Sequence, residues 1–133
     1  MSESAPFFES TPSFDDLIAR CGLPRLEARL LLSQATGQTR ESLLAHGDHG
    51  CPIDAASRFC ASVERRRCGE PMAYLLGVRE FYGRMFQVDP RVLIPRPDTE
   101  SLVTRALELL AGRKSPRILD LGTGSGVIAI TLA

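Results

Sequence analysis

The sequence lacks an excess of charge of either sign, has no asparagine, and carries one lysine, Lys114, beside fifteen arginines. Lys plus Arg and Asp plus Glu both total 16 in 133 residues. Coating of nucleic acid by phosphate neutralisation needs a basic stripe, which this balance does not supply, so direct DNA binding is not expected. No apolar run approaches the roughly 20 residues of a membrane span. Runs such as Leu30–Leu32 and Val127–Ile130 are short, and Met1–Pro12 is polar and acidic rather than basic then apolar, so neither a membrane span nor a secretory signal is read. Cys21, Cys51, Cys60 and Cys68 form no CxxC pair and no zinc spacing. Reduced thiols in a cytoplasm follow from that pattern.

What is present is globular composition, 44% hydrophobic and 24% charged, enough to bury a core. The length suits one small domain followed by an incomplete second. Residues 1–12 hold two prolines, three serines and no periodicity, and read as a flexible arm. From Ser13 the period is helical. Ser13 with Asp16 resembles a capping box for a helix carrying Phe14, Leu17, Ile18 and Cys21. Pro24 opens a second helix with Leu26, Leu30, Leu31 and Ala35 on its apolar face and Gly37 at its end. Thr39 caps a short third with Leu43 and Leu44, closed by Gly47. Asp54 is expected to cap a fourth, carrying Ala56, Phe59, Cys60 and Val63 and ending in Arg65–Arg67 and Gly69; Cys60 and Cys68 are expected to act there as small buried apolar residues. Pro71 starts a last short turn through Met72, Tyr74 and Leu75 to Gly77. Residues 13–77 therefore read as an α-helical bundle.

After Gly77 the period falls to two. Val78–Tyr82 and Met85–Val88 flank Gly83-Arg84 as a β-hairpin, and Pro90, Pro95 and Pro97 keep Arg91–Ile94 extended, giving a hairpin and Pro-rich linker over 78–97. Asp98 is expected to cap a helix whose apolar face holds Leu102, Val103, Ala106, Leu107 and Leu110, up to Gly112. Arg117–Leu121 then reads as a strand, Gly122–Gly126 as a tight turn, and Val127–Ala133 as a helix starting. That is the first strand-turn-helix of an open, Rossmann-like α/β sheet, whose other strands are not encoded. One strand and two turns of helix cannot offset an ordering entropy of about 1–2 kcal/mol per residue, so 98–133 reads as an incomplete domain and the chain as a piece of a longer protein.

The segment Asp120-Leu121-Gly122-Thr123-Gly124-Ser125-Gly126 carries the chemistry. Its glycines let backbone approach a ligand closely, and the N–H groups of the following helix point at negative charge. A dinucleotide fingerprint requires glycine at 127, where Val127 stands, and a phosphate loop requires a lysine that is missing. An acid at the strand end followed by GxGxG is instead the pattern of S-adenosylmethionine-dependent methyltransferases; a turn that merely joins strand to helix is the plain alternative. Two other clusters are weaker. His46 and His49 have H-x-x-H spacing but no third ligand, so no metal site is assigned. Arg65–Arg67 either complement the helix dipole or meet a partner.

Four segments in order place this loop in context: Gly69-Glu70-Pro71-Met72-Ala73-Tyr74-Leu75-Leu76-Gly77, Arg79-Glu80-Phe81-Tyr82-Gly83, Val92-Leu93-Ile94-Pro95-Arg96-Pro97-Asp98-Thr99-Glu100, and Ile118 to Gly126. Together they resemble the bacterial release-factor glutamine methyltransferases. The resemblance covers residues 69–133 in motif and 13–68 in architecture. It implies a helical substrate-docking domain joined by a β-hairpin to a class I methyltransferase domain, with S-adenosyl-L-methionine as cofactor and class 1 peptide chain release factors as partners. The reaction it implies is methylation of the GGQ-loop glutamine at its side-chain amide nitrogen. Asp120, Gly122, Thr123, Gly124, Ser125 and Gly126 would hold the cofactor, with the acid near its ammonium group, and Phe81, Arg96 and Thr99 would line the cleft. For Phe81 and Tyr82 packing is the alternative, and for Asp98 and Glu100 capping and dipole effects. The family's acceptor motif is Asn-Pro-Pro-Tyr, and a chain without asparagine contains none of it, so no catalytic residue is assigned. The 133 residues alone are expected to be inactive. Two other readings remain: a protein-binding helical module without catalysis, and a related adenine or amide N-methyltransferase.

Overall fold

The structure, a computed structural model, describes residues 11–133. Residues 1–10 of the arm read over 1–12 lie outside the described residues. The described chain divides into two compact units after Leu76.

The first unit has five helices: α1 Phe14–Arg20, α2 Arg25–Thr36, α3 Arg40–Ala45, α4 Ile53–Arg67 and α5 Met72–Leu76. The Ser13 hydroxyl accepts the Asp16 N–H at 3.1 Å, and the Asp16 carboxylate accepts the Ser13 N–H at 3.4 Å, so α1 opens on a reciprocal capping box. Thr39 caps α3 by accepting the Ser42 N–H at 3.1 Å. The remaining long helices start differently. Pro24 and Pro52 each occupy the position before the first helical residue, with φ of −53° and −52°. Proline's fixed φ suits that position, and its missing N–H would have no helical partner there. Asp54, expected as a cap, therefore lies inside α4, where its carboxylate accepts from Arg58 at 3.0 Å.

α2 packs against α1, α3, α4 and α5. Its buried face is Ala28, Leu31, Leu32 and Ala35, a full i, i+3, i+4, i+7 set. The expected face is thus turned: Leu26 is 60% exposed and Leu30 only half-buried. Phe14, Leu17 and Ile18 from α1, Leu43 from α3, Ala55, Ala56, Phe59 and Val63 from α4, and Leu75 from α5 complete the core. Leu44 lies on α3 as expected but is exposed. Two further expectations are corrected: Cys68 is exposed because it sits at the α4 C-terminus, and Cys60 is half-buried, while Cys51 is fully buried.

Loop 47–51 closes over the start of α1. The Phe14 and Asp15 N–H groups, which an isolated helix would leave unpaired, donate to His49 and Gly47 carbonyls at 3.1 and 2.8 Å. Gly47 is buried there, and a Cβ at this position would run into the Asp15 carboxylate.

The second unit opens with an antiparallel hairpin, β1 Val78–Phe81 and β2 Arg84–Gln87, in which Val78 pairs with Gln87 and Phe81 with Arg84. The two-residue turn is therefore Tyr82-Gly83, one position before the expected Gly83-Arg84. Both have positive φ, +50° and +74°, as a type I′ turn requires to match strand twist. Two helices follow, α6 Asp98–Leu110 and α7 Val127–Leu132. Pro97, φ −56°, precedes α6, so Asp98 is its first residue rather than its cap. Phe81, Phe86, Val103 and Val127 form a small core, with the two phenyl rings edge to face at 6.2 Å. Of the face expected on α6 only Val103 is buried; Leu102 and Leu107 are exposed, and Ala106 and Leu110 half-buried.

Residues 117–120 have no regular secondary structure and Leu121 begins a turn, so the strand expected over 117–121 is not formed among the described residues. A strand is a ladder of hydrogen bonds to a neighbour, and the described sheet holds only β1 and β2. Leu119 and Leu121 are accordingly 82% and 83% exposed. Among the described residues no helix is long and apolar enough to cross a membrane.

Candidate functional site

The glycine loop joins segment 117–121 to α7. Gly122, Gly124 and Gly126 have φ of +73°, +58° and +80°, so left-handed backbone recurs at alternate positions and a side chain at any of the three would be strained. Thr123 folds the loop on itself: its hydroxyl donates to the Asp120 carbonyl at 3.0 Å, and its own carbonyl accepts the Gly126 N–H at 2.9 Å. Gly126 is buried at the start of α7, where a Cβ would crowd the Ile130 side chain.

Asp120 is the electrostatic feature of this loop. Its Oδ2 is buried and has no hydrogen-bond partner among the described residues. Burying an unpaired carboxylate oxygen is unfavourable, and such an atom calls for an external donor. A cationic or N–H-bearing ligand group fits that requirement. Asp120 also lines a concavity of about 380 Å³ with Pro116, Ile118, Ala129, Leu132 and Ala133. That space runs along the flank of α7, and none of the loop glycines borders it.

The other cleft residues are placed differently. Phe81 is 1% exposed and belongs to the core of the second unit. Arg96 is exposed and Thr99 half-buried in the segment leading into α6, where the Thr99 N–H donates to the Arg96 carbonyl at 3.1 Å. Glu100 does more than favour the helix dipole. Its Oε1 accepts the Tyr82 N–H at 3.0 Å, a link across 18 residues that neither periodicity nor capping rules signal. In the linker, Asp89 accepts the Arg91 N–H and guanidinium, which holds its carboxyl at about 2.

In the first unit, the arginines at the end of α4 are engaged within the bundle. Arg66 grips Glu27 of α2 through Nε and Nη2, at 2.7 and 3.1 Å. This fork needs a guanidinium rather than an ammonium, and it holds the Glu27 carboxyl below its ordinary range. Arg67 donates to the Cys21 carbonyl at 2.6 Å and to Glu64 at 2.7 Å, and Arg65 makes a two-point pair with Glu70. The His46 and His49 rings stack 4.7 Å apart at an interplanar angle of 18°.

Residues 15–77, the helical unit from α1 to α5, match the family described as the PrmC N-terminal domain. The chain is 54% identical over 120 residues to the release factor glutamine methyltransferase of Bordetella pertussis, which covers 89% of this chain and 44% of that protein. It is 48% identical over 121 residues to that of Neisseria gonorrhoeae, covering 91% and 44%, and 48% over 110 residues to that of Escherichia coli, covering 83% and 39%. Over these stretches the chain is similar to the release factor glutamine methyltransferases. It spans about two fifths of the length of these curated relatives, 39–44%. Identity this high over roughly 120 residues extends past the helical domain, so the resemblance to the release factor glutamine methyltransferases takes in residues of the second unit as well.

Proposed function

We propose that this chain is the docking and cofactor-loop portion of an enzyme that transfers a methyl group from S-adenosyl-L-methionine to the side-chain amide nitrogen of the GGQ-loop glutamine in class 1 peptide chain release factors. The observation that carries the reading is the 54% identity to a release factor glutamine methyltransferase over 120 residues. The loop geometry supports it. In this reading residues 98–133 open a class I methyltransferase domain, with 117–121 as its first strand once neighbouring strands flank it, and 13–77 dock the release factor. The free thiols agree with a reducing cytoplasmic setting.

The orphaned Asp120 oxygen fits the ammonium of the cofactor's methionine end, and the left-handed glycines leave backbone free of Cβ where that end would pass. Thr123 and Ser125 would border the same path. Bound there, the cofactor supplies an electrophilic sulfonium methyl. The chain's own residues would bind and orient it, Asp120 through its charge and the glycine loop through its shape. An amide nitrogen is a poor nucleophile, so the acceptor side would have to work by orientation and by hydrogen bonds that strengthen as charge develops. With no asparagine, this chain does not carry the family's acceptor motif, and it is proposed to be inactive alone.

The test is methyl transfer by the complete protein from isotopically labelled cofactor, offered a GGQ-bearing release factor or duplex DNA. Label on the release-factor glutamine alone is expected; label on DNA, or on neither, overturns the proposal.

A further inference from the structure

We propose that Glu100 is a positioning residue for the glycine loop, acting through the hairpin turn; the inference rests on the cofactor reading of that loop. Tyr82 is a bulky residue in left-handed backbone, φ +50°, a conformation L side chains rarely adopt unless the surroundings hold it. Here two carboxylates hold the turn. Glu100 Oε1 accepts the Tyr82 N–H at 3.0 Å, and Glu80 Oε1 accepts the Gly83 N–H at 2.6 Å. The far end of Tyr82 is tied as well. Thr104, one helical turn beyond Glu100, gives its hydroxyl proton to the Glu100 carbonyl at 3.1 Å, which leaves its oxygen to accept from the Tyr82 phenol at 3.3 Å. Tyr82 is thus fastened to two successive turns of α6, at its backbone and at its ring.

The hairpin in turn carries the start of α7. Phe81 and Phe86 meet Val103 of α6 and Val127 in one cluster, with Ile128 and Leu132 packed against it, and the Arg84 guanidinium reaches the Ile130 carbonyl at 3.4 Å. Val127 follows Gly126 directly. Packed interiors shift as units rather than deform continuously, so the Glu100 carboxylate sets how the hairpin sits on α6, and the hairpin sets where the loop and the first turn of α7 lie. A role confined to the α6 dipole would not direct the carboxylate at a residue 18 positions away.

Amide NMR spectra of the complete protein, as wild type, Glu100→Gln and Glu100→Ala, test this. Glutamine keeps the acceptor oxygen and is expected to leave the Gly124–Ile130 amides in place, whereas alanine shifts them. In the complete protein Glu100→Ala should weaken cofactor binding by roughly two- to thirtyfold, with Glu100→Gln close to wild type. Shifts confined to residues 80–84 and 98–104, or identical behaviour of the two variants, overturn the proposal. Should Glu100→Ala unfold the second unit, Tyr82→Phe, which loses only the phenol tie, decides the matter: a shift reaching Val127 supports the positioning role and one stopping at Thr104 refutes it. Failure of the cofactor reading looks different. The wild-type complete protein would then not bind S-adenosylmethionine, while the alanine-induced shifts would still reach α7.

Discussion

Replacing Phe59 by alanine probes the helical unit at a fully buried core aromatic. Phe59 is 1% exposed on α4, among Leu17, Cys21 and Val63. Removing a buried phenyl ring destabilises by about 3–5 kcal/mol, combining lost transfer energy with the cavity left behind. The lower half of that range applies. Phe59 forms one wall of a shallow groove of about 240 Å³ with Leu17, Cys21, Cys60 and Val63, so the vacated space opens toward water and partly collapses. A unit of about 60 residues has only roughly 3–9 kcal/mol of stability in all. At a urea dependence of about 1 kcal/mol/M, Phe59→Ala should lower the urea midpoint of the helical circular-dichroism signal by about 3 M, or unfold the unit outright. Leu26→Ala is the matched comparison, since Leu26 is on the neighbouring helix and 60% exposed; it should cost less than about 0.5 kcal/mol. Equal midpoint shifts for the two variants would refute the placement of the α2 face and of the core itself.

Two further expectations concern charge and exchange. Glu27 has its carboxyl lowered by the Arg66 fork, so the pair contributes stability that is present above the ordinary carboxylate range and lost as pH falls through the lowered value. Glu27→Gln should flatten that acid limb of the stability profile and cost about 1–2 kcal/mol at neutral pH, between the values for exposed and buried pairs; an unchanged acid limb in urea melts at stepped pH would disprove it. In the 133-residue chain, amides of the α1–α5 helices should exchange slowly and those of 114–121 quickly, because the latter have no ladder partner among the described residues. Slow exchange through Leu121 would mean that another strand covers the segment.

How far the sequence was legible depended on the range of each interaction. Ser13 with Asp16, Thr39 and Gly37 act within a single turn, and the structure has each where local rules put it. Asp54 and Asp98 misled because the proline before each first helical residue had already taken the cap position. The turn at Tyr82-Gly83 was displaced by one because tyrosine is a poor reporter of positive φ; the tie that tolerates it comes from Glu100, far along the chain. Burial on α2 and α6 depends on which neighbours arrive, so Leu26 and Leu107 looked internal and are not. The same holds for 117–121, whose composition suits a strand that needs partners. In the candidate site, the glycine spacing announced the left-handed loop. Nothing local announced that Asp120 would keep one oxygen buried and unpaired, or that the Arg65–Arg67 cluster would pair with Glu70, Glu27, Glu64 and the Cys21 carbonyl.

The four thiols are graded by access: Cys68 at the end of α4 faces solvent, Cys60 is half covered, and Cys21 and Cys51 are enclosed, with burial pushing the Cys51 and Cys60 thiols up. A maleimide dye supplied in limiting amount would therefore decorate Cys68 ahead of the rest, marking the exit of the bundle without mutagenesis. The rate at which Cys51 later becomes alkylated would time the transient openings of the helices around it.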